Sequence, residues 1–494
     1  MGLGKLTLVA FSEENLYLSN NPQITFFKTV YKKYTNFSTE TISQFFKITP
    51  DFGRRVTVNL SKNADLLHQI YLYIELPSLP LSNHSTLPGG IKKVSWVDKI
   101  GLAITKFVDL EIGGILIDRQ YGDWLNIWQE ITNVKGQEAG YKKMIGLQDD
   151  LIQFSNSKNK YSLHIPLNFW FCQDSGLALP LIALTHHDVK IHVEFNEFSN
   201  CIKESPNHYF TSNTPICLFK ENELIEQVID GITYLGRFIY FDIENERVYY
   251  NKVKGEFQIP TTDTTLYKIT GKTTNFEIHP KKNTQVIEDE TYFYYGEPAL
   301  ETAYLLVNYV YLDNKERWKF INNNHEYLVT VMQNVSEQTL YNTNNTYKIP
   351  LVNPTKAIFW RAMLNSNKET NDQFNYSTYP ITDTNQDIIE KHSIYINSMK
   401  RVELDSYQYY SNVQNHQYNL GNPDLGIYSY AFCLNTNEHQ PSGSLNFSKI
   451  DDSYLQVSLN SIVNYQNPVN IRLYALQYNV FNIIDGLGGL KYYL

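Results

Sequence analysis

The chain has 494 residues, with 42 basic against 51 acidic side chains, a net charge of −9, 42% hydrophobic residues and 19% charged ones. So few charges exclude a disordered or coiled-coil chain. The acidic balance, with basic residues clustered only in pairs such as Lys32-Lys33, Arg54-Arg55 and Lys281-Lys282, argues against nucleic acid as a direct partner.

The length fits two or three domains, and 38 tyrosines with 26 phenylalanines suit pleated, half-buried surfaces. Cys172, Cys201, Cys217 and Cys433 have no CxxC spacing, so a reducing compartment is expected. LTLVAF at 6–11 is too short for a secretory leader, and Leu6 stands where a myristoylation start needs Ser or Thr. No apolar run reaches 18 residues; even AYLLVNYVYL at 303–312 contains Asn308, so no membrane-spanning helix is expected.

Along the chain, Ile70, Leu72, Ile74 and Leu76 alternate as a strand with one buried face requires. VDLEIGGILID (108–118) predicts a hairpin turning at Gly113-Gly114. Asp123 caps a predicted helix over 124–132, where Trp124, Ile127, Trp128 and Ile131 share one face. In 188–195, Val189, Ile191, Val193 and Phe195 alternate with Lys190, His192 and Glu194. NTPICLFKENELIEQ breaks the alternation and places a join at 213–230. Asp313 with Glu316 three residues later resembles a capping box opening a predicted helix over 314–332, with Trp318, Ile321 and Leu328 as its apolar stripe. Core packing accounts for both helices. SIYINSMKRVEL (393–404) predicts a hairpin turning near Asn397-Ser398, and Leu455, Val457 and Leu459 alternate again.

The order repeats. A hairpin, an apolar run ending in Phe171-Cys172, a loop with Gly176 and Pro180, and a strand near Val193 are followed later by a hairpin, a run ending in Phe432-Cys433, a loop with Pro441 and Gly443, and a strand near Val457. Short strands separated by Gly and Pro turns read as an all-β sandwich or jelly roll, present here in two copies.

Signatures of chemistry are sparse. The sequence has no phosphate loop, GxGxxG, HExxH or GxSxG. His186, Asp188 and His192 share a strand face, but same-face neighbours lie about 6.6 Å apart along a strand, so solvent-facing polar residues account for them better than a metal site. Asp149-Asp150, the run around Asp289 and Asp451-Asp452 read as acidic loop ends. No cofactor is expected. Sequons at Asn83, Asn334, Asn344 and Asn375 are possible glycosylation sites.

NPQITFFKTVYKKYTNF (21–37) resembles the N-terminal signature of the major capsid proteins of nucleocytoplasmic large DNA viruses, and further blocks agree in order: 110–132, 167–195, 309–328, 426–451 and 471–490. The signature positions are Asn21, Pro22, Gln23, Phe26, Phe27, Gly113, Gly114, Trp124, Trp128, Phe171, Pro180, Trp318, Pro441, Gly443, Asn446 and Phe447. Lys449 and Leu445 depart mildly from the pattern, and 133–162 and 335–390 match poorly, as variable loops would.

The resemblance implies two consecutive eight-stranded jelly rolls, with an inward-facing segment at 1–25, a first roll at 26–215, a linker at 216–230 and a second roll with a C-terminal tail at 231–494. It implies a structural, non-enzymatic subunit that trimerises into pseudo-hexagonal capsomers of an icosahedral shell. Its implied partners are its own copies, minor capsid proteins, a penton and a nearby internal membrane, with assembly in the host cytoplasm. The aromatic content and acidic loops also suggest a carbohydrate-binding or carbohydrate-cleaving sandwich, and a minor shell component would share the same fold. Short insertions in 335–350 or 366–390 are expected to be tolerated.

Overall fold

The computed structural model describes residues 3–492 apart from 11, 24–30, 80–92, 133–135, 156, 205, 207, 262–264, 289–297, 380, 383–385, 404, 419 and 424. Among these residues, eight strands build a first sandwich: β1 (Phe37–Phe45), β2 (Arg55–Asn59), β3 (Leu66–Leu76), β4 (Thr105–Ile112), β5 (Ile115–Tyr121), β6 (Tyr161–Pro166), β7 (Val189–Phe195) and β8 (Thr302–Leu312). One sheet runs β1-β8-β3-β6 and the other β2-β7-β4-β5. A second sandwich follows: β9 (His325–Leu340), β10 (Asn344–Lys348), β11 (Pro354–Leu364), β12 (Ile389–Ile396), β13 (Met399–Lys400), β14 (Ile427–Ala431), β15 (Ser453–Leu459) and β16 (Val469–Ile484). Its sheets run β9-β16-β11-β14 and β10-β15-β12-β13. Counted within each unit, the strand order is the same, so the repeated sequence order reflects two copies of one jelly-roll topology.

Alternation makes the cores. In β7, Val189, Ile191, Val193 and Phe195 are buried while the residues between them are half-buried. In β15, Leu455, Val457 and Leu459 do the same for the second roll. The hairpin between β4 and β5 turns on Gly113 and Gly114, at φ of 60° and 85°, the left-handed pair that a two-residue turn needs. A Cβ on Gly113 would also collide with the His187 ring. Asn397 and Ser398, at φ of 48° and 63°, turn the β12–β13 hairpin in the same way.

Three sequence expectations need correction. Strand β8 pairs with β1 and β3, so it closes the first roll although it lies far beyond the expected linker at 216–230. The β7–β8 connection carries a seven-stranded sheet, from His208–Thr211 to Ile287–Glu288, with its own core around Phe210, Ile225, Phe238 and Tyr250. The first roll therefore runs through Leu312, and the expected division into 26–215 and 231–494 falls inside this insertion. The predicted helix at 314–332 is a helix only over Asn314–Asn322; β9 begins at His325. Asn322, Asn323 and Asn324 favour turns over helix and mark the stop. Finally, 335–350 holds the end of β9 and all of β10, and 366–390 buries Tyr376, Thr378, Ile388 and Ile389, so neither stretch is a free loop.

Candidate assembly surfaces

The seam between the rolls is built by helix α1 (Gly122–Thr132), which leaves β5 and lies on the outer face of the second roll's β9-β16-β11-β14 sheet. Trp124, Ile127 and Ile131 pack there against Met332, Phe359, Met363, Tyr474 and Leu476. Trp124 stands 5.7 Å from the Phe359 ring and 5.4 Å from that of Tyr474, centroid to centroid. This explains a sequence difference between the sheets. β11 and β16 are buried on both faces and read as nearly continuous apolar runs, whereas β8 alternates.

Charge enters the same seam: Arg361 is buried, Asp123 and Arg472 are half-buried, and Glu337 stands at the exposed edge. Asp123 Oδ2 accepts from Arg361 Nη2 at 3.0 Å and lies 3.4 Å from Arg472 Nη1, while Glu337 Oε1 accepts from Arg361 at 2.9 Å. Burial pushes the Asp123 carboxyl up, but the charges of Arg472 and Arg361 outweigh it and hold it below the usual carboxylate range. Burial and the neighbouring arginine and lysine act in the same way on Glu337. A cleft of about 310 Å³ opens beside this cluster; its Lys106 pairs with Glu194 and its Lys368 with Glu337, so its charged walls are already matched within the chain. Further along the seam, Asp118 Oδ1 accepts from the Met332 backbone N–H of β9 at 3.2 Å. Val329, Val331, Phe481 and Ile483 extend the first roll's core into the second, with Trp170 packed on Phe481. The seam makes the two rolls one mechanical unit.

The second roll's β11–β12 connection reaches both the chain that leads into the insertion and the insertion itself. Asn371 Nδ2 donates to the carbonyls of Ser199 and Ile202 at 2.7 and 2.8 Å, and the Tyr379 hydroxyl donates to the Glu221 carbonyl. At the N-terminus, helical turns at Leu3–Val9 and Glu13–Ser19 leave Leu8, Tyr17 and Leu18 exposed to 80%, 92% and 84%.

The signature positions scatter over structural tasks. Asn21, Pro22 and Gln23 are exposed, with Asn21 at φ 54°, and Phe26 and Phe27 lie outside the described residues. Trp124, Phe171, Pro180 and Phe447 are buried, and Trp128 is half-buried. Pro441 is exposed, and Gly443 adopts φ 131° against the Phe432 carbonyl. Asn446 caps a short turn by accepting from the Ser448 N–H at 3.1 Å. Trp318 is 67% exposed and Ile321 53%, so the apolar stripe expected on this helix is not core. Of the possible glycan sites, Asn83 lies outside the described residues and Asn344 is exposed. Asn334 sits within β9 and accepts from Arg472 Nε at 2.9 Å, and Asn375 Nδ2 donates to Asp372 and to the Tyr379 carbonyl. His192 of the weighed metal trio is held by Thr57 and Glu111, and among the described residues no group of three or more His, Cys, Asp or Glu side chains could hold a metal. Sequence reasoning missed the Asp118, Glu337, Arg361 and Arg472 contacts. Lone arginines inside AIFWRAML and NIRLYAL were the available signal, because a charge in an apolar strand requires a partner.

Two jelly rolls of one topology, locked together by a buried seam, define a double jelly-roll protein. Residues 25–242 match the family model of the major capsid protein N-terminus, and residues 316–489 match that of the large eukaryotic DNA virus major capsid protein. The interval between them holds β8 and much of the insertion. The chain is 38% identical to probable capsid protein 4 of Acanthamoeba polyphaga mimivirus over 512 aligned residues, which cover 100% of this chain and 99% of the relative. It is 28% identical to the major capsid protein of Phaeocystis pouchetii virus over the full length of both. In fold it is similar to the Faustovirus major capsid protein (TM-score 0.69, 12% identity, 96% of this chain and 94% of that one). It is also similar to the subunit of the PBCV-1 virus capsid (TM-score 0.64, 23% identity, 95% and 100%). The chain belongs to the major capsid protein family of large eukaryotic DNA viruses, and its role is that of a structural protein of the virion capsid.

Proposed function

We propose that this chain trimerises into a capsomer of pseudo-hexagonal outline, six jelly rolls around one axis, and that these capsomers tile an icosahedral shell. The supporting observation is the duplication itself: two rolls with one strand order, fixed to each other by α1 and the Asp123 cluster, present nearly equivalent flanks to their neighbours. Repeated heterologous contacts between such flanks close into a ring. The insertion and the β11–β12 connection form the outer end, and the opposite end with the apolar N-terminal segment faces inward, towards minor capsid proteins, the penton and an internal membrane. The division of labour we infer is residues 1–25 as the inward segment, the first roll through Leu312 and the second from β9 onwards. The subunit works by shape and contact rather than catalysis, and assembly takes place in the host cytoplasm. Negative-stain images of the purified oligomer test this reading. Class averages with six lobes and threefold modulation support it, and a two-lobed particle contradicts it.

A further inference from the structure

Two turns of the second roll meet at one end of its sandwich. Leu340 of β9 and Leu364 of β11 both pair with Val469 of β16, so the β9–β10 turn (341–343) and the β15–β16 turn (460–468) lie at the end from which the β11–β12 connection leaves for the insertion. The β15–β16 turn is the counterpart of the β7–β8 connection. Where the first roll carries a seven-stranded sheet, the second has only this short turn, and what stands on it is left open. The Leu459 N–H donates to the Thr343 carbonyl at 2.6 Å and ties the two turns together.

On these turns Tyr341 and Tyr465 stack, with ring centroids 5.2 Å apart and planes 19° from parallel, although they are 42% and 79% exposed. The backbone beneath them is fixed by asparagine turns: Asn464 Oδ1 accepts from the N–H groups of Gln466 and Asn467 at 2.8 and 3.1 Å, and Asn460 Oδ1 accepts from that of Ile462 at 3.2 Å. Beside the rings, the side-chain amides of Asn342 and Gln466 are exposed, and neither they nor the two tyrosine hydroxyls make a hydrogen bond among the described residues. Neither 338–347 nor 453–468 contains an Asp, Glu, Lys or Arg, in a chain where these make up 19%. The fold does not require that neutrality. On the equivalent strand of the first roll, Lys190, His192 and Glu194 alternate with core residues as Tyr454, Gln456 and Ser458 do on β15.

We propose that the Tyr341–Tyr465 stack, with Asn342 and Gln466, is a binding platform for a neutral saccharide. A pyranose presents an apolar face of C–H groups and a rim of hydroxyls; the first packs on an aromatic face, and the second needs groups that both donate and accept, as amide side chains do. The Tyr465 ring takes the sugar's C–H face, Tyr341 holds that ring from behind, and Asn342 and Gln466 meet the hydroxyls. A sialylated or sulfated sugar would call for Lys or Arg, which both turns lack. One such platform binds weakly, and many copies on one particle add avidity. The outward placement of the platform rests on the orientation proposed above; the binding itself does not.

An array of neutral, sialylated and sulfated oligosaccharides, probed with the purified full-length protein, tests this. Wild type should bind neutral glycans. Tyr465→Ala should weaken that binding by about tenfold or more with an unchanged melting temperature, because the side chain is exposed. Tyr465→Trp should keep it, and so should Trp318→Ala, which removes an exposed ring on the Asn314–Asn322 helix. Failure to bind any neutral glycan, a preference for sialylated or sulfated ones, or binding that Tyr465→Ala leaves unchanged would each overturn the inference. If the purified protein binds and assembled shells do not, the platform stands and the proposed orientation is wrong.

Discussion

Asp123 answers two guanidinium groups at the seam, so its loss leaves the buried Arg361 and the half-buried Arg472 without their shared carboxylate. Breaking a buried ion cluster by removing one partner costs about 3–5 kcal/mol. Asp123→Ala should therefore lower stability by about that much in chemical denaturation, with Asp123→Asn intermediate because it retains a hydrogen-bond acceptor. Asp118 makes the seam sensitive to pH. Burial pushes its carboxyl up to about 7 from an ordinary 3.8, against the lowering effect of hydrogen bonds from Met332, Gln120 and Arg119. The folded state then binds the proton more tightly than the unfolded one, so this contribution is complete below about pH 3.8 and is lost as pH rises through 7. His392 acts in the opposite sense: burial among Trp360, Tyr410 and Tyr428 lowers it from 6.5 to about 3, so its contribution is lost as pH falls between those values. Asp118→Asn should leave stability near pH 4 unchanged and raise it above pH 7 by up to on the order of 4 kcal/mol, read from thermal melts across the pH range. At this scale the sequence was only partly legible. Asp123 read as a helix cap, and its true task depended on two arginines far along the chain.

Strands were far more legible than helices, because alternation is a local signal and one buried sheet face imposes it. Ile191 and Leu473 are fully buried on inward faces, so Ile191→Asp or Leu473→Asp should prevent accumulation of soluble folded protein, since a buried unpaired charge costs several kcal/mol. Trp318→Ala, by contrast, should shift stability by less than about 0.5 kcal/mol, as expected for an exposed side chain. The same contrast explains the misread helix at 314–332. Its capping signal marks a true start, but Trp318 and Ile321 suggested a stripe with nothing to bury it. Insertions follow the corrected boundaries. A short insertion between Asn342 and Thr343, in the turn from β9 to β10, should leave the melting temperature nearly unchanged, whereas one beside the buried Thr378 should lower it by many degrees.

At the level of the whole molecule, duplication was visible in the order of hairpin, Phe-Cys run and strand, but the boundary between copies was not. β8 is separated from its sheet by a complete seven-stranded insertion, and pairing across so long a gap leaves no local trace. The seam is almost as silent: the outer face that α1 covers shows in the sequence only as continuous rather than alternating apolar runs in β11 and β16. Two rolls of one strand order joined in one chain are what the proposed trimer sets six to a ring. The mass of the purified protein in solution is therefore the most direct test. Multi-angle light scattering at micromolar concentration should give three times the 57.5 kDa chain mass, and a strictly monomeric species would contradict the account.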